Sequence, residues 1–152
     1  MSTVLVPAGS RLASGIDPRG PRFAATLTSL VLVGVLVAPT SVAGWLLAAQ
    51  AVVFAIGTAR GIQHTPYASL FRTLVRPRLA PPTHVEDPAP PRFAQAVGLG
   101  FALVGLVGFA VGVLPLALVA TGLALAAALL NAVFGFCLGC EIYLLLHRAT
   151  AR

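Results

Sequence analysis

The chain has 152 residues, of which 58% are hydrophobic and only 9% are charged, and its net charge is +6. A soluble domain usually carries about 25% charged residues. The composition therefore excludes an ordinary soluble globular protein and indicates lipid as the solvent. The positive charge comes from ten arginines. They flank apolar segments and do not alternate with exposed aromatic residues, so no nucleic-acid partner is predicted.

Four apolar runs follow a polar stretch, residues 1–22, that is predicted to be a mostly irregular tail. Runs of about 17–25 apolar residues span the hydrocarbon core of a bilayer as helices, because lipid cannot satisfy unpaired backbone amides. The fourth run is long, and we expect it to form one helix that protrudes from the bilayer or tilts strongly. The four runs cover 23–38, 42–59, 93–113 and 116–146.

An internal repeat organises these runs into two pairs. Residues 17–24 and 87–94 match at six of eight positions, and each copy opens a pair of apolar runs. The chain is therefore predicted to be an all-α membrane protein with four transmembrane helices. These helices form two parallel helical-hairpin repeats, 17–61 and 87–147, joined by a cytoplasmic connector over 62–86. A cleavable signal peptide is the alternative for the first run, and the repeat argues against it.

The repeated motif predicts how each pair of helices begins. Proline suits the first helical turn, and an aspartate just before it faces the positive end of the helix dipole. An arginine after the proline can extend to lipid phosphates. In the two copies these residues are Asp17, Pro21 and Arg22, and Asp87, Pro91 and Arg92.

The connector contains a further short element. Thr65 followed by Pro66 is a strong helix start, and Pro77 ends the pattern. Apolar residues recur between them at helical spacing with arginines interspersed, which predicts a short interfacial helix on the membrane surface.

Charge predicts the orientation of the protein in its membrane. With four crossings, all ten arginines fall on one side and none in the two opposite loops. By the positive-inside rule that side is cytoplasmic. The prediction is a multi-pass protein of the bacterial inner membrane with both termini in the cytoplasm and the lipid bilayer as its surroundings.

The candidate site is the stretch Cys137-Leu-Gly-Cys140-Glu141, which the fourth run places near the cytoplasmic end of a helix. A structural disulfide is not expected in a reducing compartment. Redox cycling, metal binding and plain packing of small cysteines all stay open. A helix C-terminus beside a carboxylate favours the neutral thiol, which counts against a thioredoxin-type thiolate. A nearby arginine could offset this effect, and Gly135 and Gly139 could break the helix locally and change the geometry.

Other polar residues could complete such a site. Glu141 and His64 are candidate proton carriers, since a carboxylate near membrane depth and a histidine beside it are suited to that role. No cofactor is predicted, but a metal held by Cys137, Cys140 and His64 is an open alternative. Asn131 is expected to hydrogen bond across helices, with Gln50 as its candidate partner.

Several strings together resemble an uncharacterised bacterial membrane family, domain of unknown function 4395, which is common in actinobacteria. They are the two Pro-Arg-Phe entries at 21–23 and 91–93, His64-Thr-Pro, Arg76-Pro-Arg-Leu, and Leu130-Asn-Ala-Val-Phe-Gly-Phe-Cys-Leu-Gly-Cys-Glu-Ile-Tyr. Members of that family tend to be encoded near sulfurtransferases and thioredoxin-like proteins. The resemblance implies thiol or sulfur chemistry at Cys137 and Cys140 by association.

The leading functional hypothesis is thiol redox chemistry or sulfur transfer at a cytoplasm-facing cysteine pair. A thioredoxin-like protein or a sulfurtransferase would be the partner, and a homo-oligomer is compatible with the sequence. The alternatives are a non-enzymatic small transporter, an accessory subunit of a membrane complex, and a metal-binding membrane protein. Whether the chain is an enzyme is left open.

Overall fold

The computed structural model of the protein describes residues 15–152, and the first part of the predicted tail lies outside them. Six α-helices follow one another, and no strand occurs among the described residues. Their bounds are α1 Arg19–Val37, α2 Thr40–Arg60, α3 Pro66–Leu70, α4 Ala89–Ala110, α5 Leu114–Phe134 and α6 Leu138–Thr150. The helices α1, α2, α4 and α5 have 19 to 22 residues and are apolar enough to cross a membrane. At about 1.5 Å per residue each is long enough for the hydrocarbon core. The prediction of an all-α fold with four helices able to cross a membrane is confirmed.

The four long helices form a bundle in which α1 packs chiefly on α5, and α2 on α4. Small residues allow the close approach that helix association in lipid requires. A Cβ at Gly108 would lie 2.6 Å from the Ala117 backbone nitrogen, and one at Gly105 would lie 2.7 Å from a Leu47 methyl group. The outer faces carry exposed apolar side chains such as Trp45, as expected for surfaces that meet lipid.

The prediction of a single helix over 116–146 is wrong. The fourth spanning helix, α5, ends at Phe134, and a separate helix, α6, starts at Leu138. Gly135 adopts a φ of +68°, a conformation that favours glycine. Its N–H donates to the Asn131 carbonyl, and the Phe136 N–H donates to the Leu130 carbonyl. These bonds close the last turn of α5 and redirect the chain.

The entry motifs begin α1 and α4 as predicted, with Pro21 and Pro91 in the first helical turns. Asp17 Oδ1 accepts from the Arg19 backbone N–H at 3.0 Å, and Asp87 Oδ1 accepts from that of Ala89 at 2.8 Å. Each aspartate therefore satisfies a backbone donor that the helix itself leaves free.

The entry arginines hydrogen bond to the ends of other spanning helices, and their contact with lipid phosphates stays a prediction. Arg22 donates to the Ala132 and Val133 carbonyls at 3.0 and 2.8 Å, at the C-terminal end of α5. Arg92 similarly donates to the Thr58 and Ala59 carbonyls at 2.6 and 2.8 Å, at the end of α2. A cation suits a helix C-terminus, where carbonyl groups have no partner within the helix.

The connector contains the predicted short helix. The Thr65 hydroxyl accepts from the Ala68 N–H at 3.2 Å, which confirms its capping role. The helix continues beyond α3 as a π-turn, Phe71–Val75, and a 3-10 turn, Arg76–Arg78. Phe71 is buried against Phe23 with ring centroids 5.8 Å apart, while Leu70 and Leu74 are exposed. The helix is anchored by one apolar edge and presents another outward.

One antiparallel backbone bridge joins the two entry segments. The Ile16 N–H donates to the Glu86 carbonyl at 3.0 Å, and the Glu86 N–H donates to the Ile16 carbonyl at 2.9 Å. These residues directly precede Asp17 and Asp87, so the paired positions correspond in the sequence repeat. The division into two repeats and a connector stays a prediction.

Candidate redox site at the N-terminus of α6

The cysteine pair occupies the first turn of α6 and not the end of a longer helix. Cys137 is the N-cap, and its Sγ accepts from the Cys140 backbone N–H at 3.3 Å. The Cys137 carbonyl accepts from the Glu141 N–H at 3.1 Å. The objection that a helix C-terminus favours the neutral thiol therefore does not apply, because backbone N–H groups and the helix dipole favour a thiolate here.

The two sulfur atoms lie at disulfide-bonding distance, as the redox-cycling alternative requires. Their Cα atoms are 5.2 Å apart, within the range that a disulfide spans. A three-residue spacing across a helix start brings the side chains together without displacing the backbone. The pair can therefore exist as a disulfide or, when reduced, as adjacent thiols.

Glu141 follows the pair directly and is exposed in the first turn of α6. A carboxylate in this turn stabilises the helix through the dipole. Its position beside Cys140 keeps a proton-carrier role open as a prediction.

Contacts with α4 hold α6 in place. A Cβ at Gly139 would lie 2.7 Å from both the Cα and the Cβ of Ala94, so only glycine fits at this crossing. One turn further on, Tyr143 packs on Phe93 with ring centroids 5.7 Å apart. The cysteine pair is thus positioned by a close helix crossing at Gly139, the residue just before Cys140.

A cavity of about 280 Å³ extends into the bundle from Cys137. Residues of α1, α2, α4 and α5 line it together with the start of α6. Its wall is mostly apolar, but the amide side chains of Gln95 and Asn131 also line it. Cys137 is among the lining residues and Cys140 is not, so the two cysteines differ in their position relative to the cavity.

His64 is not among the residues that line this cavity. It is exposed, and its Nδ1 lies 2.7 Å from the Arg60 carbonyl oxygen. Within residues 15–152, no three His, Cys, Asp or Glu side chains are grouped closely enough to hold a metal ion. The metal set of Cys137, Cys140 and His64 is therefore not brought together here, and a proton-carrier role for His64 stays an untested prediction.

Gln50 forms a different hydrogen bond from the one predicted. Its Nε2 donates to the Thr28 hydroxyl at 3.3 Å, and its Oε1 accepts from the Tyr67 hydroxyl at 2.7 Å. Asn131 lines the cavity instead of pairing with Gln50. Burial raises the pKa of Tyr67, so its hydroxyl stays protonated as a donor. This polar chain ties the α3 helix to the centre of the bundle.

Sequence reasoning did not single out Gln95 as a site residue. Its side chain packs over Gly57, where an added Cβ would lie 2.7 Å from Gln95 Cγ and Oε1. An amide inside an apolar helix was the available signal, because such a group needs a polar partner in lipid. Gln95 stands close to the entry motif, whose residues were interpreted as helix-start signals, and its amide was therefore not considered as part of a site.

The fold and this site together define a membrane protein with four spanning helices and a vicinal cysteine pair at the start of a further, short helix. The chain belongs to the family described as domain of unknown function DUF4395, whose model matches residues 16–148. The matched segment contains the first five helices, most of α6 and the cysteine pair. Comparison with curated proteins and with solved structures finds no match.

Proposed function

We propose that this protein is a membrane thiol–disulfide redox protein in which Cys137 is the nucleophile and Cys140 the resolving cysteine. The observation that carries the proposal is the position of the pair in the first turn of α6, with Cys137 Sγ accepting the Cys140 N–H. A helix N-terminus activates a thiol by stabilising its thiolate. The adjacent second sulfur then closes the disulfide.

The geometry favours disulfide exchange over storage of a persulfide. If Cys137 carried an extra sulfur atom, the Cys140 thiolate could attack Cys137 Sγ, form the disulfide and release hydrosulfide. Sulfur transfer would therefore pass through the same disulfide, which a second dithiol must reduce. A thioredoxin-like protein supplies such a dithiol and is the partner class that we propose.

The positive-inside rule supports a cytoplasmic position for this site. Arg19 and Arg92 stand at the starts of α1 and α4, and Arg60 at the end of α2, all at the end of the bundle where α6 begins. We therefore propose an inner-membrane protein whose cysteine pair exchanges with thiols of the cytoplasm. Impermeant maleimide should label the reduced pair from the cytoplasmic side only; labelling from outside alone would reverse this orientation.

The first experiment is a redox titration of purified protein in lipid nanodiscs against mixtures of oxidised and reduced dithiothreitol. We expect Cys137 and Cys140 to pass together between dithiol and disulfide, observed by maleimide mass shift. The control is the variant Cys137→Thr with Cys140→Ala, which should show no shift. Cysteines that stay reduced under every ratio would contradict the proposal and favour a packing role.

A further inference from the structure

We propose that the cavity next to Cys137 binds the head group of a membrane quinone, which accepts the two electrons of the reduced cysteine pair. This inference rests on the redox function proposed above and names the electron acceptor of that site. The disulfide would be reduced again by a cytoplasmic dithiol. The protein would thus pass electrons from soluble thiols into the membrane.

The depth of the cavity points to an acceptor that is soluble in lipid. Pro91 and Phe101 both line it and lie ten residues apart on α4, which corresponds to about 15 Å of helix. That distance is about half of the roughly 30 Å hydrocarbon core. Cys137 lies at the end of the cavity formed by the start of α6. An occupant therefore reaches the sulfur from within the membrane-spanning bundle.

The cavity wall suits a neutral ring with a few polar atoms. Phe54, Phe101 and Leu123 supply apolar surface, and no charged side chain is among the residues that line it. Burying an ionised group in such a site without a partner is costly, which disfavours sulfur anions and charged thiols as occupants. Its volume of about 280 Å³ is close to the lower end of the range for ligand pockets, about 300 to 1,000 Å³.

Two amides give this cavity the polar groups that a quinone needs. Gln95 and Asn131 line the same cavity as Cys137, and each side chain carries an NH₂ donor. The two oxygens of a quinone are acceptors, so these amides can orient the ring with one face near the sulfur. An apolar site with a few placed hydrogen-bonding groups is the usual design of a small-molecule pocket.

The different positions of the two cysteines match the order of the reaction. Cys137 lines the cavity, so its thiolate adds to the quinone ring and forms a carbon–sulfur bond. The Cys140 thiolate then attacks Cys137 Sγ, the disulfide forms, and the carbon–sulfur bond breaks with its electron pair left on the ring. The two protons lost by the thiols are matched by two taken up at the quinone oxygens. One dithiol and one quinone thus give one disulfide and one quinol.

The test uses the full chain in lipid nanodiscs under anaerobic conditions, so that oxygen cannot serve as the acceptor. The protein is reduced, freed of reductant and mixed with decylubiquinone, a short-chain benzoquinone. We expect the loss of both thiols and the formation of one quinol per chain, followed by maleimide labelling and ultraviolet absorbance. The variant Cys137→Thr with Cys140→Ala should form no quinol.

A matched pair of substitutions on α5 tests the cavity itself. Ala128 lines it, whereas Ala126 is exposed and does not. We expect Ala128→Leu to slow quinol formation by about tenfold or more, as expected when a substrate pocket is partly filled. Ala126→Leu should react like the wild-type chain. Equal rates for the two variants would show that the reaction does not use this cavity and would overturn the proposal.

Failure of this proposal can be told apart from failure of the proposed function. If the wild-type pair exchanges with dithiothreitol but decylubiquinone leaves its thiols intact, the quinone proposal is wrong and the redox function stands. If the pair exchanges with neither reagent, both are wrong.

Discussion

Cys137 combines a structural and a chemical role in one side chain. As the N-cap of α6 it accepts the Cys140 N–H, and as a thiol it can bond to the Cys140 sulfur. Thr65 caps the connector helix in the same way, by accepting from Ala68. Threonine can therefore replace Cys137 without loss of the cap, and this separates the two roles.

The first prediction concerns this cap. With Cys140→Ala in both proteins, Cys137→Thr should protect the first turn of α6 better than Cys137→Ala. A hydroxyl cap is worth about 1 kcal/mol, so amide exchange at position 140 should differ by about fivefold. Hydrogen exchange with mass spectrometry measures this difference. Equal exchange in the two variants would mean that the side chain at position 137 does not cap the helix.

The second prediction concerns the glycine between the cysteines. Gly139→Ala places a methyl group against Ala94, 2.7 Å from its Cα and Cβ. We expect α6 to move away from α4 and the protein to lose about 1 to 3 kcal/mol, as for overpacking. Gly100→Ala is the control, because a Cβ there has no neighbour within 4 Å. In thermal unfolding, the midpoint temperature of Gly139→Ala should be lower than that of the wild-type chain, and that of Gly100→Ala should be unchanged or higher.

The C-terminal carbonyl groups of two spanning helices accept hydrogen bonds from arginines of other helices. Arg22 on α1 satisfies carbonyls at the end of α5, and Arg92 on α4 satisfies those at the end of α2. Each arginine lies at the start of one spanning helix and holds the end of another. The turn that leads from α5 to the cysteine pair is thus supported from a distant part of the chain.

The third prediction compares substitutions of these two arginines. Arg22→Gln should loosen the end of α5 and speed amide exchange over residues 132–136, which adjoin Cys137. Arg92→Gln should act instead at the end of α2. Loss of a charge-assisted hydrogen bond costs about 1.5 to 3 kcal/mol, so the local change should be large. Faster exchange before Cys137 in both variants alike would contradict this assignment.

The fourth prediction concerns the pH dependence of the α1 entry. Hydrogen bonds from the Arg19 side chain lower the pKa of Asp17. Because the pKa is lower in the folded state, the stabilisation is present above the unfolded value of about 3.9 and is lost as the pH falls through the native pKa. Asp17→Asn should therefore be less stable than the wild-type chain at pH 7. The difference should shrink toward pH 3 in thermal unfolding scans; a constant difference would exclude this cause.

The molecule as a whole contains several contacts that correspond between its two halves. Phe23 packs on Phe71 as Phe93 packs on Tyr143, with centroid distances of 5.8 and 5.7 Å. Gly61 and Gly135 both have positive φ angles directly after a spanning helix. Thr65 and Cys137 each lie six residues before the aromatic residues Phe71 and Tyr143, so Thr65 corresponds to Cys137 and Ala68 to Cys140.

The fifth prediction tests the repeat through this correspondence. Thr65→Cys and Ala68→Cys, introduced into the chain that carries Cys137→Thr and Cys140→Ala, should form a disulfide on oxidation. The expected readout is the loss of two maleimide-reactive thiols per chain. Cysteines that stay free under oxidant would mean that the starts of the two short helices are not equivalent.

Composition and hydrophobic pattern alone determined the class of protein and four of its helices. Lipid exposure leaves few alternatives to apolar helices about 20 residues long, and the entry motifs carry their own capping aspartates and prolines. The start of the connector helix was also predictable, because Thr65 and Pro66 act locally. These features depend on residues that are neighbours in the chain and on the solvent, which the composition indicates.

Only the tertiary structure decided where the fourth spanning helix ends, and with it the chemistry of the cysteine pair. The run over 116–146 is apolar apart from a few residues such as Asn131 and Glu141, so periodicity cannot locate a break within it. Arg22, more than 100 residues away, hydrogen bonds to the end of α5 just before the break at Gly135, and α6 is held by the crossing of Gly139 on Ala94. Those contacts turn a cysteine pair expected at a helix C-terminus into one at an N-terminus, where the backbone favours a thiolate.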